Sequence, residues 1–117
     1  KLLMPKKIKI PTFNDSRGSL SVIEKFINFK IKRVYYLYNL KKNISRGKHA
    51  HKKNIQFLIC LKGKLEIKFK RKNYLLDGPH YGILIQPSDW HEIIPRSYQS
   101  IAIVIASDYY DKNDYIL

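Results

Sequence analysis

The feature that most constrains this chain is the rhythm of its apolar residues. Short runs rich in Ile, Val, Leu, Tyr and Phe recur at intervals of roughly eight to twelve residues, each bounded by turn chemistry. The runs predict strands over Lys7 to Ile10, Leu20 to Glu24, Lys32 to Tyr38, Gly47 to His51 and Ile55 to Leu61. Further strands are expected over Lys64 to Lys70, Tyr74 to Leu76, Gly82 to Gln86, Trp90 to Ile94 and Ser100 to Ala106. Between them stand Asp15-Ser16-Arg17-Gly18, Lys62-Gly63-Lys64, Arg71-Lys72-Asn73, Asp77-Gly78-Pro79 and Gln86-Pro87-Ser88-Asp89, all typical turn compositions. No window of a dozen residues carries a helical stripe, so the expected fold class is all-β.

Alternation is clean over Lys64-Leu65-Glu66-Ile67-Lys68-Phe69-Lys70, which puts Leu65, Ile67 and Phe69 inward and the charges outward. It vanishes over Ile55 to Leu61 and Ile101 to Ala106, which read as strands buried on both faces. That mixture fits a sandwich or jelly-roll barrel whose outer face packs on something, and a homodimer is the economical cover. With 117 residues, 44% of them apolar, a single domain over 1–117 is expected.

The formal net charge is +14, from 23 Lys plus Arg against 9 Asp plus Glu. Such a balance first suggests nucleic acid, a membrane surface or an anionic small molecule. Lys, Ile and Asn dominate the composition, however, a bias that an AT-rich genome produces whatever the function. The basic residues are also scattered along alternating strands, with Lys64, Lys68 and Lys70 on one outward face, rather than interleaved with aromatics in a nucleic-acid motif. A solvated outer sheet explains them more simply, and neither nucleic acid nor membrane is an expected partner. The single cysteine, Cys60, lies in an apolar run and reads as a buried structural thiol. No apolar run reaches the length of a membrane span and no signal segment is evident, so a cytoplasmic protein is expected.

The densest polar signal is Arg46-Gly47-Lys48-His49-Ala50-His51, where the i, i+2 spacing sets both imidazoles on one face of a strand. Gln56 and Gly63 follow at the spacing of the first cupin motif, and Pro87-Ser88-Asp89-Trp90-His91 resembles a shortened second one. In metal-binding cupins a carboxylate occupies the place of Gln56; a neutral amide removes the negative charge that offsets a divalent cation, although three imidazoles remain able to ligate zinc or iron. His51 and Gln56 are an odd number apart. A turn or bulge at Lys52-Lys53-Asn54 is therefore required for them to converge.

Five ordered blocks carry a closer resemblance: Asp15 to Leu20, Ile31 to Tyr36, Arg46 to Lys52, Trp90-His91-Glu92 and Ala106 to Asp111. Together they resemble the cupin-type dTDP-sugar 3,4-ketoisomerases along nearly the whole chain. The resemblance implies a jelly-roll homodimer without metal or other cofactor. It also implies conversion of dTDP-4-dehydro-6-deoxyglucose into its 3-dehydro isomer, on routes to 3-amino-3,6-dideoxy sugars of surface glycans.

The residue types suit that chemistry. Moving a ketone from C4 to C3 removes the C3 proton, passes through an enediol and returns a proton to C4; a base, a relay between the oxygens and stabilisation of negative charge are sufficient. His49 is the expected carbon base, with His51 as partner or second shuttle. Tyr35 is the candidate relay, although it and Tyr36 read equally well as wall residues. Arg46, beside a glycine, is placed to grip a phosphate oxygen, with Arg33 and Lys53 as further diphosphate candidates. By resemblance, Arg17 and His91 mark the branch that gives the galacto product. Gln56 and Trp90 complete the expected substrate contacts, while Tyr98, Tyr81 and Phe57 are candidates for holding the thymine. Asp108 and Asp111 read as a structural clamp at a dimer edge. The rival readings are a nucleotide-sugar epimerase, a three-His metal cupin and a basic nucleic-acid-binding module.

Overall fold

A computed structural model describes residues 4–117. The strands are β1 (Lys6–Lys9), β2 (Thr12–Asp15), β3 (Gly18–Ser21), β4 (Arg33–Leu37), β5 (Arg46–His51), β6 (Gln56–Lys62), β7 (Lys64–Phe69), β8 (Asn73–Asp77), β9 (Tyr81–Ile85), β10 (His91–Pro95), β11 (Ile101–Ala106) and β12 (Tyr115–Ile116), with one 3₁₀ turn at Lys112–Asp114. They form two five-stranded antiparallel sheets, ordered β1-β9-β6-β11-β4 and β12-β5-β10-β7-β8, plus the separate β2-β3 hairpin. This is the jelly-roll sandwich that the pattern predicts. Among the described residues no helix is long and apolar enough to cross a membrane.

The core follows from alternation. Leu65, Ile67 and Phe69 of β7 point inward as expected and meet Leu58, Cys60, Ile83, Ile85, Ile93 and Val104 between the sheets. Cys60 is fully buried there. The opposite faces of β6 and β11 form a second cluster, in which Phe57, Ile59, Leu84 and Ile105 pack beneath Ile23, Phe26, Ile27 and Phe29. The apolar cover on these doubly buried strands is thus supplied by the chain's own segment 22–31, which corrects the expectation that a second subunit is needed there. Phe26 meets Phe57 edge to face at 5.5 Å.

Most strands match the sequence reading to within one residue at each end, and three elements depart further. β2 was not anticipated because Thr-Phe-Asn-Asp is polar and mostly exposed, and pairs only with β3. The strand expected over Leu20 to Glu24 starts and ends earlier, at Gly18 and Ser21. The two-residue β12 lies in the acidic tail and exists by pairing Tyr115 with His51 and Ile116 with Ala50.

Candidate active site

A one-residue bulge in β5 builds the centre of the site. Along the β5-β10 pair, His91 faces His49, whereas the next residue, Glu92, faces Gly47, leaving Lys48 unpaired. Gly47 and Lys48 both take left-handed backbone angles, φ 90° and φ 60°. Glycine is required at 47: a Cβ there would lie 3.3 Å from the His91 carbonyl oxygen. In an unbroken strand Arg46 and His49, three apart, would face opposite ways. The extra residue puts both on the wall of one cavity.

His49 is half-buried and its ring lies edge-on to His51 and His91, at centroid distances of 4.9 and 5.1 Å. His51 is 3% exposed, and its Nδ1 lies 3.0 Å from Asp114 Oδ2. The backbone N–H of Lys53 donates to Asp114 Oδ1 at 2.9 Å. Burial pulls the Asp114 pKa upward, but the Lys53, His51 and Asn54 hydrogen bonds outweigh it and hold the group below the usual carboxylate range. Burial lowers the His51 pKa, with Asp114 opposing. An ionised Asp114 facing a neutral imidazole requires the proton on Nδ1 and leaves Nε2 as acceptor. That Nε2 is buried with no partner. Tyr115, carried by β12, places its ring 4.7 Å from both His49 and His51.

The opposite wall comes from β4 and β6. The predicted turn at residues 52–54 interrupts the chain between β5 and β6, and brings Gln56 round to the cavity despite its odd spacing from His51. On β4, Arg33, Tyr35 and Leu37 share the inward face, and Val34 and Tyr36 point out. Gln56 Nε2 donates to the Tyr35 hydroxyl at 2.7 Å. Burial raises the Tyr35 pKa, so the phenol keeps its proton and, with Gln56 as donor to it, has its O–H free for a ligand. Burial likewise lowers His49, favouring a neutral imidazole, and pushes His91 down to about 4. His91 donates from Nδ1 to the Asp89 carbonyl at 2.9 Å.

These residues enclose about 270 Å³, lined by Arg33, Tyr35, Arg46, His49, Gln56 and His91 among others. Among the described residues, no three His, Cys, Asp or Glu side chains are grouped to hold one metal ion. The cavity offers a neutral base, a phenolic donor and two guanidinium groups, the components of proton transfer next to a carbonyl.

Several predicted contacts lie elsewhere. Arg17 is 89% exposed at the tip of the β2-β3 hairpin, paired with Asp15 at 2.6 Å. Trp90 lines a different cavity with Phe69, Tyr74 and Pro87. Lys53 contributes its backbone N–H to Asp114, and its side chain is exposed. Phe57 is fully buried in the second cluster and is closed to a base; Tyr98 and Tyr81 are exposed, under Lys42 and Lys7. Asp111 caps the 3₁₀ turn through the Asn113 N–H, a structural use consistent with its reading as a clamp. Sequence reasoning missed Asp114 and Tyr115, for which the tail gave no local signal.

A jelly-roll barrel holding imidazoles, a phenol and guanidinium groups around one cavity defines a cupin-like enzyme of the acid–base class. The family model described as "FdtA: WxcM-like, C-terminal" matches residues 4–117, and the chain belongs to this family. A curated relative, the TDP-4-oxo-6-deoxy-alpha-D-glucose-3,4-oxoisomerase of Aneurinibacillus thermoaerophilus, is 44% identical over 117 residues, covering 95% of this chain and 84% of that protein. A solved 3,4-ketoisomerase from Helicobacter canadensis matches with TM-score 0.91 and 40% identity, over 96% of this chain and 89% of that one. The sugar 3,4-ketoisomerase QdtA from Thermoanaerobacterium thermosaccharolyticum, solved in complex with TDP, matches with TM-score 0.84 and 40% identity, over 96% and 86%.

Proposed function

We propose that the protein is a sugar 3,4-ketoisomerase acting on a dTDP-linked 4-keto-6-deoxy sugar. The observation that carries the reading is one cavity holding His49, Tyr35, Gln56 and His91 in a chain 44% identical to a curated oxoisomerase of that chemistry. His49 takes the C3 proton and returns it to C4. Tyr35, anchored by Gln56, shuttles the hydroxyl proton between the two sugar oxygens. His51, oriented by Asp114 behind His49, keeps the base in its receiving state. Arg46, exposed at the cavity mouth, grips the diphosphate. His91 contacts the sugar at C4 and favours the galacto product.

A cytoplasmic homodimer accompanies this reading. Val34, Tyr36 and Tyr38 are more than half exposed along the β4 edge, as are Phe13 and Leu20 on the hairpin. A second copy covering these rows buries them and carries the hairpin tip with Arg17 against a neighbouring subunit.

The test is incubation with dTDP-4-dehydro-6-deoxyglucose in deuterated water. Deuterium enters the sugar and the 3-ketone forms, and NMR of the product distinguishes the C4 epimers. Intact, folded protein that forms no 3-ketone overturns the reading. His49→Asn abolishes turnover while the fold is kept, and wild-type rates in that variant reject His49 as the base.

A further inference from the structure

Enediol formation places negative charge on the sugar oxygens, and neither the base nor the relay neutralises it. Two cations line the cavity, and they differ in setting. Arg46 is exposed at the mouth. Arg33 is half-buried, and its Nε is shut off from solvent without a hydrogen-bond partner. With Nε closed off, the remaining N–H groups of this guanidinium on the cavity wall are the ones left for a ligand, and an unpaired charged donor there favours an anionic acceptor. Among the described residues Arg33 forms no ion pair, whereas Arg17 and Arg96 each hold a carboxylate.

The location of Arg33 follows from β4. Arg33 and Tyr35 share the inward face, and the guanidinium carbon lies 5.2 Å from the Tyr35 ring centroid. Across the sheet Arg33 pairs with Ala106, which in turn pairs with Gln56. The small residue between them leaves the space in which the guanidinium and the Gln56 amide flank the phenol. The positive charge also bears on the site's titration, favouring Tyr35 ionisation and disfavouring His51 protonation.

We propose that Arg33 is a catalytic residue of the isomerisation: its guanidinium, on the cavity wall, meets the sugar oxygen that becomes anionic as the enediolate forms. The role rests on the ketoisomerase reading. It divides the two guanidinium groups, Arg46 for binding and Arg33 for the chemical step. An anion-stabilising donor acts mainly in the transition state, so its loss lowers kcat more than it raises KM.

The test compares R33M, R33K and R46M in the full chain, using TDP titration calorimetry, steady-state kinetics and deuterium entry from solvent. R33M is expected to bind TDP within about threefold of wild type while kcat falls about 10²- to 10³-fold, the usual loss for one such donor. R33K retains the charge but not the planar guanidinium fork and recovers only part of kcat, which provides the test if R33M does not fold. R46M raises the TDP Kd and KM. A wild-type protein that forms no 3-ketone refutes the isomerase reading and this role with it. If the wild type turns over, unchanged kcat in the folded Arg33 variants, or a loss confined to TDP affinity and KM, refutes the role alone.

Discussion

His91 gives this fold a calculable sensitivity to acid. The residue is 2% exposed, and burial lowers its pKa from 6.5 to about 4. In the unfolded chain the imidazole takes up a proton near its ordinary value; in the folded chain it resists until well below. Between those limits the unfolded state binds more protons, so stability falls as the pH drops through this window and levels off below the folded pKa. A gap of about 2.5 pH units, at 1.36 kcal/mol each, caps the loss at about 3.4 kcal/mol; at pH 5 the same linkage gives about 2 kcal/mol. His49 and His51 also have lowered pKa values and add to the slope. The perturbation that isolates His91 is therefore His91→Asn, whose amide can donate to the Asp89 carbonyl without titrating. Urea unfolding at pH 7 and pH 5 measures both proteins. Wild type is expected to lose about 2 kcal/mol more than the variant on acidification, and equal losses would refute the account of His91 as a buried neutral group.

Asp114→Asn replaces an acceptor-only carboxylate with an amide that cannot accept from both Lys53 N–H and His51 Nδ1–H. Urea denaturation should show a loss of about 1.5–3 kcal/mol, the range for a hydrogen bond to a charged group, and an unchanged midpoint would contradict the buried pairing. Gln56→Glu supplies a carboxylate that accepts the Tyr35 O–H and withdraws it from substrate, so kcat should drop about a hundredfold; steady-state turnover checks this, and a full-rate variant excludes Tyr35 as the relay. Gly47→Ala places a side chain at φ 90°, with its Cβ against the His91 carbonyl. Thermal unfolding should report a cost of about 1–3 kcal/mol, and no loss would show that the bulge relaxes freely.

The barrel was legible in the sequence because its strands announce themselves locally. Alternation over β7 set Leu65, Ile67 and Phe69 inward, and the structure keeps them there. The site was legible where its geometry is also local: the His49/His51 spacing, and the odd separation of Gln56 that demanded a turn at residues 52–54. Asp114 was not, because the tail holds Asp108, Asp111 and Asp114 in similar surroundings. What selects Asp114 is a 3₁₀ turn and a two-residue strand that return the chain to His51, 63 positions away. Segment 22–31 was illegible for a related reason. Its apolar residues show no regular period and acquire a role only once the outer face of β6 and β11 exists to be covered.

The Gly47-Lys48 bulge works as a shift of reading frame. Upstream of it β5 is read in one phase, downstream in the other, and Arg46 and His49, three positions apart, share a cavity because the bulge absorbs the odd residue. Flattening the bulge without removing a residue would restore one phase along the strand, so that Arg46 and His49 faced opposite sides of the sheet with every functional side chain still present. The chemistry of this wall is therefore encoded as much by a count of residues as by their kinds.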